Sequence, residues 1–312
     1  MITHTLIDAQ VSMVMCLFRV INKKLINNLM TEDFYMTTHF TLAPWWESDS
    51  LGRKVLNGSA KFWFSTILVG QAIFSYYIVM LYYKATFNQD LERFNQVMPG
   101  GHIEGDFWGN IAVVAHVLLA AIITVGGLIQ LIPIIRSKWP AIHRWNGRLY
   151  VITAMILSIS GMFMILTRHE KIVGSLIGHT SIMINGIIIL VCAVKAINYA
   201  RKRKIAQHRI WALRLFLAAS GVWMFRVGLM AWLSIHGKPV GFDPVSFSGP
   251  FLTTLYILVY VLPLLILEVY LRSQRSRSAP MKLLTASMVI LISFIIMLGV
   301  FAATMGMWLP RI

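Results

Sequence analysis

FWGNIAVVAHVLLAAIITVGGLIQLIPII, residues 107–135, contains no Asp, Glu, Lys or Arg. A helix crosses the hydrocarbon layer of a bilayer with about 20 apolar residues, so this run is long enough to span. Its apolar residues are continuous and do not alternate, which argues for a helix and against a barrel strand. Six more runs read the same way: Phe62–Tyr83, Asn146–Leu166, Ile172–Tyr199, Ile210–Ile235, Pro250–Leu271 and Leu283–Leu309. With Phe107–Ile135 as the second of seven spans, the expected fold is an all-α, polytopic transmembrane helix bundle. The membrane domain covers 62–309. The preceding segment, 1–61, is expected to be cytoplasmic or interfacial and poorly ordered, since its apolar stretch Val11–Phe18 is short and no cleavage site follows it.

Composition agrees. The chain is 57% hydrophobic and only 13% charged, whereas charged residues make up about a quarter of soluble domains. The net charge of +16 is unevenly placed. Of the 28 Lys and Arg residues, 18 fall before span one or in the connections two–three, four–five and six–seven. The other side carries Lys84, Arg93, Arg168, Lys171, Lys238 and Arg311. This bias predicts a multi-pass protein of the plasma (inner) membrane, N-terminus cytoplasmic and C-terminus outside. Basic loops meeting anionic lipid explain the charge, so the bilayer is the expected partner and nucleic acid is not. Cys16 and Cys192 suggest no disulfide, and no C-x-x-C-H run exists for covalent haem. Hydrolase, zinc-protease and nucleotide-binding signatures are also missing from the sequence.

Spans two to five carry a repeat. His116 lies in span two and His143 opens span three in His143-Arg144-Trp145-Asn146-Gly147-Arg148-Leu149-Tyr150. His179 lies in span four and His208 opens span five in His208-Arg209-Ile210-Trp211-Ala212-Leu213-Arg214. The order His, then His-Arg, occurs twice, as in a duplicated helix hairpin. Spans two and four run in the same direction. His116 is about 13 Å and His179 about 10 Å from the outer end at 1.5 Å per residue, so the pair is expected at one depth. His143 and His208 form a second expected pair at the inner face. Two imidazoles facing one another across a bundle can ligate the iron of a b-type haem. Arg226 in span five, with Arg144 and Arg209 at the inner end, would then meet haem propionates. A plain reading stands beside this one: span histidines hydrogen-bond neighbouring helices, and interfacial His-Arg meets lipid phosphate.

Other polar residues read structurally. Gln130 is expected to satisfy backbone freed by Pro133. Glu268, acidic within span six, is expected to pair with Arg148 or Arg214, with a proton relay as the alternative. His102, Glu104 and Asp106 have spacing that could suit a metal, but in a polar loop they read as solvated. Trp45, Trp46, Trp108 and Trp139 read as interfacial anchors.

Gln130-Leu131-Ile132-Pro133, Arg136, the two His-Arg runs, Arg226 and Glu268 together resemble the bacterial membrane-protein family of domain of unknown function 2306, over about residues 107–272. That resemblance implies a polytopic membrane protein and brings no established activity. The histidine layout is also similar to the ascorbate-reducible, di-haem b-type cytochromes, which implies two bis-histidine haem sites. Here His143 and His208 open their helices instead of lying well inside them. The leading expectation is a membrane electron-transfer protein holding haem b, fed by a quinol or another redox partner. The alternatives are a cofactor-free transporter or lipid-handling protein, in which Glu268, Arg226 and the histidines line a polar cavity, and a membrane scaffold or assembly factor.

Overall fold

The computed structural model describes residues 46–98, 100–168 and 175–312; the expectation of poor order for residues 1–45 lies outside that range. The described residues form an all-α bundle. Helix α1 (Trp46–Ile78) continues through a π turn at Val79–Tyr83 and a last helical turn, Lys84–Phe87. It begins 16 residues before the expected span, because Leu56 and Ser59 are buried and Gly52 lies against the Lys282 side chain. That first part of α1 is a packed helix and no tail.

Helix α2 (Phe107–Leu131) is capped by Asp106, whose Oδ1 accepts from the Gly109 N–H at 3.0 Å. It stops at Ile132, held extended before Pro133. A short helix, α3 (Pro133–Lys138), turns the chain into α4 (Pro140–Arg168). Helix α5 (Leu176–Arg201) is capped by Ser175.

The fifth run is broken. Helices α6 (Ile205–Ala219) and α7 (Gly221–His236) meet at Ser220 with a bend of 50°. The cause is local. The Ser220 hydroxyl donates back to the Phe216 carbonyl at 2.8 Å, and Gln71 Nε2 donates to that hydroxyl at 2.9 Å. At Gly221 any side chain would run into the Tyr260 ring, so only glycine fits. A Ser-Gly pair is a known origin of sharp kinks. Helices α8 (Pro250–Arg275) and α9 (Ala279–Ala303) complete the bundle, α9 continuing through a π turn at Thr304–Trp308.

Among the described residues six helices are long and apolar enough to cross a membrane alone, and α6 with α7 makes a seventh if the bent pair is one span. Contacts run in a closed circuit from α1 to α2, α4, α5, α6, α7, α9 and back to α1, with α8 packed on α5, α6, α7 and α9. Many large apolar side chains face outward, among them Ile152, Ile159, Ile187, Leu265, Leu291 and Phe301. A bilayer would cover such a surface.

Much of the repeat motif serves the seams. Gln130 Nε2 donates to the His143 carbonyl at 3.0 Å, and Asn146 Nδ2 donates to the Gly126 carbonyl at 2.8 Å. These two amides lock α2 to α4. Ser158 Oγ donates to the Gly186 carbonyl between α4 and α5, and Asn185 Nδ2 to the Ala218 carbonyl between α5 and α6. In hydrocarbon such bonds and small-residue contacts hold helices together where burial of apolar area cannot.

Candidate functional site

With Gln130 and Asn146 assigned to packing, the histidines and arginines remain. The structure groups them in two clusters, one in the half of the bundle away from the Lys/Arg-rich face and one at that basic face.

In the first, His116 sits about 13 Å into α2, with Nδ1 2.8 Å from Ser160 Oγ on α4. The Ser160 hydroxyl also donates to the Leu157 carbonyl at 3.2 Å, so its oxygen accepts from His116 Nδ1–H. The lone pair is then on Nε2. The ring lies close over the α4 backbone at Gly161. The charge acting on His116 is that of Arg226. Arg226 is about 15 Å from the end of α7 at His236, a matching depth.

Arg226 is partly accessible and reaches over the Phe74 ring at 5.7 Å; its one hydrogen bond is a 3.3 Å contact to the Val222 carbonyl of its own helix. Its charge also reaches Tyr77 and Tyr82 of α1 and Tyr256 and Tyr260 of α8. Among the described residues no carboxylate lies within ion-pair distance of it. The Tyr77 side chain is only 2% exposed, and its hydroxyl has no partner in hydrogen-bonding geometry. A cation, an imidazole and phenols thus share one region without an acid to neutralise them.

His179 is not placed as its spacing suggested. Helix α5 begins at Leu176, so His179 stands in the first turn, about 4–5 Å from the helix start against about 13 Å for His116. Helix α4 packs against both α2 and α5. His116 is turned to Ser160 of α4.

The other two histidines, His143 and His208, lie at the basic face. Both lie in first turns, of α4 and α6, and His143 is within electrostatic reach of His208, Arg136 and Arg144. His208 Nδ1 donates to the Ala196 carbonyl at 2.9 Å, which leaves its lone pair on Nε2. His143 Nδ1 is buried without a hydrogen-bond partner. Arg209 is half-buried beside Arg136 and Tyr270. Glu268 is taken by Arg214, which donates Nε and an Nη to the same carboxylate oxygen at 2.9 and 2.6 Å. Of the two expected partners for Glu268, the structure selects Arg214; Arg148 instead lies over Trp145.

The loop residues divide. Asp106 caps α2, and His102 Nδ1 lies 2.7 Å from Glu92 Oε1. Among the described residues no group of three or more His, Cys, Asp or Glu could hold a metal ion.

The match to known proteins falls on this region. Residues 113–257 match the family described as Predicted membrane protein (DUF2306). The match includes His116, His143, His179, His208 and Arg226, and so bears out the resemblance drawn from the His-Arg runs. The protein is thereby an integral membrane protein by family match and by its helices. No curated protein and no solved structure matches the chain. Sequence reasoning missed the tyrosine surround of Arg226. Tyr77, Tyr82, Tyr256 and Tyr260 lie in α1 and α8, outside the repeat that drew attention.

Proposed function

We propose that the protein binds an anionic amphiphile inside its bundle, as a transporter or lipid-handling protein, with Arg226 meeting the charged head. One observation carries this reading: a cation about 15 Å along a span with no carboxylate among the described residues to pair with it. Such a charge costs about 2.5–3.5 kcal/mol on insertion scales, and an arriving anion offsets that cost. The Tyr77 hydroxyl supplies a second donor. His116 Nε2 supplies an acceptor nearby, which suits an acidic head that keeps one proton. The aromatic rings around Arg226 suit an alkyl chain. On the charge bias, this region lies in the outer half of the inner membrane, with the C-terminus outside.

The test is thermal unfolding of the purified full-length protein in neutral detergent, with dodecyl phosphate or uncharged dodecanol added. Wild type should be stabilised by the phosphate and not by the alcohol. Arg226→Gln should lose that response and Arg226→Lys keep part of it. Equal stabilisation of wild type and Arg226→Gln would refute the assignment.

A second reading has its own observation. His208 Nε2 is an oriented lone pair in the neighbourhood of His143, the condition an axial ligand requires. Under it His143 and His208 hold a b-type haem, Arg144 and Arg209 meet its propionates, and electrons come from a quinol or another redox partner. His116 and His179 fit haem less well, given their unequal depths and the Ser160 bond. Two open grooves are lined by residues such as Ile122, Val125, Ile142 and Leu149 and carry no histidine. Protein made with ample haem should show a Soret band that His208→Ala abolishes; colourless protein excludes this reading.

A further inference from the structure

We infer that a groove on the outer surface of α1, α2 and α4 holds one anionic phospholipid, its acyl chain along the groove and its phosphate on Arg148. Two open hollows make the groove. One, of about 500 Å³, lies between α1, α2 and α4; the other, of about 560 Å³, follows the first turns of α4. Asn146 and Leu149 line both, so the two are continuous. Helix α2 forms the floor. It is tied to α1 by the Ser75 hydroxyl, which donates to the Ala121 carbonyl at 3.3 Å, and to α4 by the Asn146 amide at the Gly126 carbonyl. That second bond sets α2 and α4 level. From it the groove runs five residues along α2 to Ala121 and five along α4 to Ala141, about 15 Å in all. This is one leaflet of a hydrocarbon layer about 30 Å thick. Its walls are apolar, with Val79, Val125 and Leu149 exposed.

The basic end decides the occupant. Trp145 lines the groove there, and Arg148 Cζ lies 4.8 Å from the centre of its ring. Arg148 follows Trp145 by one turn, so its side chain runs back toward the helix start and carries its charge toward the membrane surface. Stacking on the indole occupies the face of the guanidinium and leaves its N–H edge to fork onto a phosphate. Both side chains are exposed, and no carboxylate among the described residues pairs with Arg148. Arg144, four residues earlier on the same side of α4, is exposed as well. An apolar trough one leaflet long that ends at an indole and an unopposed cation fits an alkyl chain with an anionic phosphate head. A soluble phosphate would leave the trough unfilled, and a zwitterionic lipid brings its own cation to its phosphate. The groove shares no residue with the Arg226 region, and the inference does not rest on the reading given to that region.

The test places the full-length protein in nanodiscs of equal parts phosphatidylglycerol and phosphatidylcholine with matched chains, and reads the retained lipid by native mass spectrometry. Wild type should hold one phosphatidylglycerol in preference to phosphatidylcholine. Arg148→Gln should reduce that preference about fivefold, and Arg148→Lys should keep part of it. Val125→Phe, with Ile122→Phe as a second variant, fills the trough from an exposed position and should lower retention with every charge intact. Arg201→Gln removes an exposed charge of the basic face outside the groove and should change little. Thermal unfolding near the wild-type midpoint shows that each variant is folded. Equal retention of the two lipids by wild type, or an equal loss in Arg201→Gln, overturns the proposal, since surface charge alone then accounts for binding. Undiminished retention in both folded groove-filling variants overturns it too, as does a lipid-free dimer, which assigns the groove to a second copy of the chain.

Discussion

Replacing Glu268 by Gln removes the carboxylate that receives two hydrogen bonds from Arg214, at 2.9 and 2.6 Å, while keeping the side-chain volume. Hydrogen bonds to charged groups contribute about 1.5–3 kcal/mol. The two side chains remain 26% and 38% exposed, and solvent screening lowers the expected loss to about 1–2 kcal/mol. Arg214 would not be left bare, because it also lies over the Trp211 ring at 4.5 Å. The assay is a double-mutant cycle on thermal unfolding in detergent, with Glu268→Gln, Arg214→Leu and the pair. Each single variant should destabilise, and the double variant should cost less than the singles together by about 1–2 kcal/mol. Strict additivity would refute the ion pair as the reason for an acid in α8. A Glu268→Gln protein as stable as wild type would return the proton-relay reading to consideration.

The break between α6 and α7 makes a second prediction. Gly221→Ala drives a methyl into the Tyr260 ring, and the overpacking should cost about 1–3 kcal/mol; adding Tyr260→Leu should restore part of it. For topology, reporters placed after Leu309 and within residues 201–207 should fall on opposite sides of the membrane, the second in the cytoplasm; the same side for both would end the seven-span account. In the loop before α2, hydrogen bonds from His102 and Asn95 hold the Glu92 carboxyl below its ordinary range. The stabilisation is present above the unfolded carboxylate pKa and is lost as pH falls through the lower folded one. Exchange protection of the His102 amide, which donates to Asn95 Oδ1, should therefore weaken as pH falls below the ordinary carboxylate range.

Span number and helix type were legible because each run must satisfy its backbone internally and cover about 30 Å of hydrocarbon. The start of α1 was not. The residues before Phe62 include charges that read as a surface segment, and their burial against α9 depends on Gly52 and Leu56 meeting a helix more than 200 residues later. The bend at Ser220 was hidden in an apolar run, since the ring that demands Gly221 comes from α8. That His143 and His208 open helices was legible because each stands in a His-Arg run just before an apolar stretch. For His179, the expected outer partner of His116, counting from Ile172 put it about seven residues along its span, while α5 starts at Leu176. Spacing along a chain measures depth only when the helix start is known.

The most direct test of the central claim is the dissociation constant of dodecyl phosphate for wild type, Arg226→Lys and Arg226→Gln in one neutral detergent. A charge-assisted contact of about 1.5–3 kcal/mol predicts a loss of about 10- to 100-fold in Arg226→Gln, with Arg226→Lys between the two. Wild type and Arg226→Gln binding the amphiphile equally, with both proteins folded, would contradict the account.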